Sequence, residues 1–360
     1  MDFAPDDDQQ LIVDTVRRFA ERDLRTWAAD ADRAGAPPDR LATAARELGF
    51  YTDAVPVDAG GELDGSYHHT TRTLRGFELG RGCAALAALL EANVEPALAV
   101  AHWGSAAARA ALFGGVARGG LACFVHDSRG ALTIADAGSS AVRVTGQLGP
   151  APALAAADHV LVASGTTLLL VPTTGLARTA ITPSGWRAAR WATATCNLVV
   201  AADFVVSRDA EAIADVLAWA RVSLAARAAG VAAAAMEHAA GYAQDRVQFG
   251  QPIGRFEALI RLRDDAETGI AAARLMALHA AWMLDTRPGP AARDAASRAR
   301  VLAGDVVARA TIDAVQIFGG YGFVNDYPVE KLMRDARAFE ALLGDERLGR
   351  VLARRDGKEL

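Results

Sequence analysis

The sequence predicts a mainly α protein interrupted by a middle β domain: a helical domain, then a β barrel or sandwich, then a four-helix bundle. Three observations carry this. Apolar residues recur at helical spacing early in the chain. A central stretch breaks into short β-prone runs separated by turn residues. The remainder returns to long, Ala-rich helical patterns. The expected domains are 1–118, 119–207 and 208–360.

In the first domain Leu11, Val13, Val16, Phe19 and Leu24 fall on a helical stripe beside Arg17, Arg18, Glu21 and Arg22. Pro37-Pro38 and Asp58-Ala59-Gly60-Gly61 punctuate it. Ala84 to Leu90 is a small-residue helix suited to close packing, and Gly114-Gly115 and Gly119-Gly120 bracket a boundary. In the middle domain strands are expected at Leu121–Val125, Ala141–Thr145, His159–Ala163, Thr167–Val171, Asn197–Val200 and Phe204–Val206.

Beyond residue 208, Ile213 to Asp245 reads as one long helix with Ile213, Leu217, Leu224 and Val231 on a stripe and alanines that allow close approach. A second helix covers Phe256 to Leu284 and stops at Pro288-Gly289-Pro290, since proline cannot continue it. A third covers Ala291 to Phe318 and stops at Gly319-Gly320; two short helices follow, from Val329 and from Leu342. Long helices with short links imply a bundle.

At 360 residues and 52% hydrophobic content, the chain can bury a large core. A net charge of −5 gives no basic surface for nucleic acid or an anionic membrane. Cys83, Cys123 and Cys196 are scattered without metal-ligand spacing and read as free thiols in a reducing compartment. The acidic start, Met1-Asp2-Phe3-Ala4-Pro5-Asp6, is unlike a secretory signal, and no uncharged apolar run is long enough for a bilayer. A cytoplasmic, soluble protein is expected.

Two motifs carry candidate chemistry. Arg246-Val247-Gln248-Phe249-Gly250 sits where the long helix ends. Its arginine could fork onto a phosphate or carboxylate, or simply cap the helix C-terminus; the residues alone leave both open. In Gln316 to Gly322, three glycines in four positions let the backbone turn sharply and bring N–H groups near an anion, or serve only as a helix cap.

Together, about 70 residues apart, these motifs resemble the acyl-CoA dehydrogenase family. So do Met1-Asp2-Phe3, Val55-Pro56-Val57-Asp58-Ala59-Gly60-Gly61, Glu78-Leu79-Gly80-Arg81-Gly82, and the run from Gln316 through Arg337. The resemblance covers nearly the whole chain and is tightest over 242–337. It implies the three-part fold already read from the residues, and an FAD-dependent α,β-dehydrogenation of an acyl-CoA thioester. Electrons would pass to an electron-transfer acceptor of flavoproteins. It also implies that FAD is shared across a subunit interface. Arg246, Gln248, Phe249, Gln316, Gly319 and Gly320 would contact a neighbour's pyrophosphate and adenosine.

The departures have a direction. The family's catalytic base, the Glu of a Glu-Gly-Thr triplet, becomes Leu343, and the alternative base position in the first bundle helix is Ala220 before Arg221. The family's Thr-Glu-Pro-x-x-Gly-Ser-Asp stretch becomes His126-Asp127-Ser128-Arg129-Gly130. Its Lys-x-Trp-Ile-Thr/Ser-Asn becomes Leu148-Gly149-Pro150-Ala151-Pro152-Ala153, whose prolines offer no N–H. Residues that would hold a neighbour's FAD are kept, while those for the chain's own flavin and base are lost.

The expected role is therefore a base-lacking subunit that completes the FAD site of a homologous Glu-bearing dehydrogenase subunit, with lipid or steroid breakdown as the setting. One alternative is a self-associating FAD enzyme with a displaced base, Asp345 or Glu346, or with non-dehydrogenase chemistry. Another is a flavin-free acyl-CoA-binding or assembly protein. No metal site is expected: His68-His69 read as a solvated pair without a third ligand. His126 reads as a strand-end residue, Trp186 and Trp191 as packing, and Ser128 and Ser184 lack a His-Asp pair.

Overall fold

The computed structural model describes residues 3–340 and residue 342. The N-terminal part is helical: α1 (Asp7–Phe19), a π-helical turn (Ala20–Leu24), α2 (Arg25–Ala34), α3 (Arg40–Glu47), α4 (His69–Leu90), α5 (Val94–Trp103) and α6 (Ala106–Ala117). Helix α1 starts on a capping box: Gln9 N–H donates to Asp6, and the Gln9 side chain accepts from the Asp6 backbone. The cap of α4 comes from far along the chain. The Asp285 carboxylate accepts from the backbone N–H of His69 (2.7 Å) and Thr70 (2.9 Å) and from the Thr70 hydroxyl (2.7 Å). Asp285→Ala is expected to destabilise the protein by about 1–2 kcal/mol, measured by urea unfolding. No change would mean that water replaces the cap.

The middle part contains β1 (Ala122–His126), β2 (Leu132–Asp136), β3 (Ala141–Ala151), β4 (His159–Ser164), β5 (Thr167–Pro172), β6 (Leu176–Ala180), β7 (Ala192–Ala201) and β8 (Val205–Ser207). They form two four-stranded sheets, ordered β1-β4-β5-β8 and β2-β3-β7-β6. Strand β1 runs parallel to β4, and the other pairings are antiparallel.

Sequence reasoning missed β2 and β6 and truncated β3 and β7. Strands β2 and β6 edge the second sheet, so the apolar alternation that marks a half-buried strand is diluted. Strand β3 continues past Gly146 and carries Pro150 through a register shift between Leu148 and Ala151, where a missing N–H breaks no ladder bond.

The bundle comprises α7 (Ala210–Asp245), α8 (Glu257–Thr286), α9 (Pro290–Phe318) and α10 (Pro328–Glu340), with a two-residue ribbon, β9 (Val247–Gln248) and β10 (Gln251–Pro252), after α7. The expected single stripe on α7 proves too narrow. The helix is buried on nearly every face because α4, α8, α9 and α10 surround it. By length and composition α7 could cross a membrane, but 89% of its most apolar window is packed inside the protein. Its alanines and Gly230 let α4 approach closely. A Cβ on Gly230 would stand 2.1 Å from the Phe77 carbonyl oxygen, and one on Gly80 would stand 2.3 Å from that of Arg227. The short helix expected from Leu342 lies outside the described residues.

Candidate functional site

Two places gather the residues singled out from the sequence. The first is the turn region beyond α7. There Tyr242 stacks on Phe318 at 4.2 Å, so the ends of α7 and α9 are held together. The ribbon β9–β10 reverses through Phe249 (φ 52°) and Gly250 (φ 81°); two successive left-handed residues are what a two-residue hairpin turn requires. Helix α9 stops at Gly319 (φ 59°), whose N–H donates to the Gln316 carbonyl.

These stops leave a cavity of about 450 Å³ whose lining includes Tyr242, Arg246, Gln248, Gly319, Gly320 and Tyr321. The Arg246 guanidinium lies 5.8 Å from the Tyr321 ring, and its side chain has no ion pair or hydrogen bond among the described residues. A Cβ on Gly319 or Gly320 would meet nothing within 4 Å, so this backbone stands open to an approaching group. Four of the six expected contact residues thus converge. Phe249 and Gln316 flank the cavity without lining it, and the Phe249 ring is 93% exposed, edge-on to Phe256.

The second place is a cleft of about 160 Å³ between α4, α7 and the first sheet. Ala220, expected at the alternative base position, lines it and brings no carboxylate. Pro150 and Pro152 line it too, on a segment fastened from behind by Ala153 N–H donating to the Ala189 carbonyl (2.8 Å). His126 ends β1 at the cleft, where burial and then Arg221 lower its pKa. Leu343, Asp345 and Glu346 lie outside the described residues.

The cleft floor holds residues that sequence reasoning missed: Glu91, Glu95 and Arg227. Arg72 donates to Glu95 (2.8 Å), Arg75 pairs with Glu91 (3.0 Å) and Asp53 (2.7 Å), and Ser223 donates to Glu91 (3.2 Å). Burial alone would raise the Glu91 pKa, but Arg72, Arg75 and Arg227 outweigh it and hold the carboxyl down to about 2. A general base for neutral pH needs a far weaker acid, so Glu91 is unsuited, and Glu95 is held in its ion pair with Arg72. The one signal in the sequence was acids closing a long apolar run, Ala84 to Leu90, with no solvent face to take them.

Of the histidine pair, His68 is exposed but His69 is not, which corrects the expected solvated pair. His69 stacks on Trp219 at 5.8 Å, and burial, then Arg72, pushes its pKa down to about 3. No group of three or more His, Cys, Asp or Glu among the described residues is placed to hold a metal.

The family model for the acyl-CoA dehydrogenase N-terminal domain matches residues 6–120, and that for the C-terminal domain matches residues 210–355. The chain belongs to the acyl-CoA dehydrogenase family. An acyl-CoA dehydrogenase of Bacillus subtilis is 42% identical over 132 residues, 37% of this chain and 34% of that protein. A 3-(aryl)acrylate reductase of Clostridium sporogenes is 40% identical over 117 residues, 32% of this chain and 30% of that protein. The matched stretch thus spans about a third of these relatives' length.

Solved structures resemble the chain over nearly its full length. Butyryl-CoA dehydrogenase of Megasphaera elsdenii superposes with a TM-score of 0.88 at 24% identity over 98% of both chains. A chain from a study of the electron transferring flavoprotein of Acidaminococcus fermentans superposes with a TM-score of 0.87 at 27% identity over 99% of both. The shared acyl-CoA dehydrogenase fold is the predicted one, mostly helical with a middle β region.

Proposed function

We propose that this chain is the base-lacking subunit of a heteromeric, FAD-dependent acyl-CoA dehydrogenase, and that it completes the FAD site of a homologous partner subunit that carries the catalytic glutamate. The observation behind this reading is a contrast between two sites. The turn cavity is open at about 450 Å³ and presents an uncommitted guanidinium. The chain's own cleft measures about 160 Å³ and carries prolines and Ala220 at its wall.

FAD fits the first site by chemistry. Arg246 can fork onto a pyrophosphate. The backbone at Gly319 and Gly320 admits an anion without a Cβ in the way. Gln248 supplies an amide to the same cavity, and the exposed Phe249 ring and Gln316 offer flanking contacts. The second site does not fit. A three-ring flavin beside an acyl thioester needs a pocket of drug-sized volume, roughly 300–1,000 Å³. In this reading the flavin supplies hydride acceptance at the β-carbon, while the α-proton goes to the partner's carboxylate. This chain's own residues bind and orient. Acyl-CoA is the substrate of the assembly, and a flavoprotein electron acceptor takes its electrons.

The test is visible absorption with flavin stoichiometry. The chain purified alone is expected to be colourless. Co-purified with a Glu-bearing homologue, it should give about one flavin per pair, because only one of the two clefts is competent. About one flavin per subunit in the isolated chain would overturn the proposal in favour of a self-associating enzyme. No flavin in any combination would leave a flavin-free binding or assembly protein.

A further inference from the structure

The cleft that is too small for a flavin is nevertheless a built polar site. Two buried donors line it. Among the described residues, Arg227, 7% exposed, has its guanidinium hydrogen-bonded only to Ser223 on its own helix, at 3.1 Å and 3.4 Å, with its ion-pair partner Glu91 3.9 Å away. Burial, only partly offset by Glu91, lowers its pKa. Trp186 is 1% exposed, and its indole N–H has no hydrogen-bond partner among the described residues. Such a donor is costly to bury unsatisfied and is uncommon in native proteins.

The two donors stand together, with the Arg227 Cζ 5.9 Å from the Trp186 ring centre. Trp186 is also held hard in place. Its backbone N–H donates to Asp335 (2.7 Å), its carbonyl accepts from Trp191 Nε1 (3.0 Å), and Phe339 meets its ring edge-on at 4.8 Å. Its φ of 53° is a left-handed value that a bulky side chain adopts only under constraint.

We propose that the cleft between α4, α7 and the first sheet binds a small carboxylate, with Arg227 and the Trp186 indole N–H as the donors for its oxygens. The glutamates at the floor do not rule this out, because Glu91 and Glu95 are already engaged by Arg75 and Arg72. Around them the lining mixes the apolar Ala88, Ala92, Val125 and Leu224 with the polar His126 and Ser128. Size narrows the ligand. A cavity of about 150 Å³ accommodates benzene, so about 160 Å³ suits an acid of about six non-hydrogen atoms. This gives the chain a ligand site of its own, independent of the flavin-completing role at Arg246.

Calorimetric titration of the full chain with isobutyrate, and separately with its neutral isostere isobutyramide, tests this. Saturable millimolar binding of isobutyrate is expected, with isobutyramide at least about tenfold weaker, because the donors favour a charged acceptor. Arg227→Gln should weaken isobutyrate at least about tenfold. Trp186→Phe, which keeps an aromatic ring but loses the pyrrole ring with its N–H, should weaken it several-fold. The amide comparison needs no variant, so it decides the matter even if Arg227→Gln fails to fold. Equal binding of acid and amide, no binding up to on the order of 100 mM, or an unchanged affinity in both variants would overturn the proposal. None of these outcomes touches flavin capture at Arg246, so the two readings fail separately.

Discussion

Replacing Arg246 by alanine is expected to strip flavin from the heteromer while leaving this chain folded. The guanidinium stands at an open cavity, has no ion pair or side-chain hydrogen bond among the described residues, and lies 5.8 Å from the Tyr321 ring, so its loss removes little from the fold. A charge-assisted contact to a pyrophosphate contributes roughly 1.5–3 kcal/mol, so flavin retention should fall at least about tenfold. Arg246→Lys should recover only part of it, because an ammonium lacks the planar fork. The readouts are the flavin-to-protein ratio after gel filtration and the thermal midpoint of the apo chain. Unchanged flavin occupancy in a heteromer with the Arg246→Ala subunit would sink the flavin-completing role.

Glu91→Ala should be among the most damaging single changes. It takes from Arg227 its ion-pair partner among the described residues, at 3.9 Å, while Arg75 keeps Asp53 and Arg72 keeps Glu95. Breaking one side of a buried ion pair costs about 3–5 kcal/mol, because a charge is left uncompensated in a poorly solvated place. A drop in thermal midpoint on the order of 10 °C should follow. The pH dependence has a definite sign. The Glu91 pKa falls from its ordinary 4.5 to about 2 on folding. The stability it contributes is therefore fully present above the unfolded value and is lost as pH falls through about 2, since the unfolded chain takes up the proton first. Glu91→Ala should flatten that acid limb. A cost under about 1 kcal/mol would mean the network is solvated.

Much of the architecture was legible because it rests on local pattern. The stops at Pro288-Gly289-Pro290 and Gly319 coincide with the ends of α8 and α9, and the helix expected from Val329 is α10 to within a residue. Four of the strands expected in the middle part are present with small shifts of boundary. Strands β2 and β6 were not legible. An edge strand with one exposed face is defined by its neighbour, and Leu132–Asp136 and Leu176–Ala180 carry little alternation of their own.

The candidate site divides in the same way. Arg246, Gln248, Gly319 and Gly320 could be named from the sequence through the resemblance their two motifs carry, since those motifs are contiguous in the chain; local chemistry alone left a helix cap open. Glu91, Glu95 and Arg227 could not. Their ion pairs join α4, α5 and α7 across as many as 136 positions between Glu91 and Arg227, and no spacing rule within one helix reports such a meeting. Likewise, the His68-His69 pair is split by the wrap of α4 against Trp219, which buries one ring and leaves the other in solvent.

The sequence by itself therefore determined the order of elements, the family and the two turn motifs, since these depend on residue identity and short-range periodicity. The tertiary structure alone decided that the two motifs share one open cavity, that the cleft beside the first sheet is narrow, and that its floor is a buried lattice of guanidinium and carboxylate groups. The physical reason is packing. Burial, and with it every charge interaction that burial strengthens, is set by which helices lie side by side, and α7 acquires its meaning only from the four helices that enclose it.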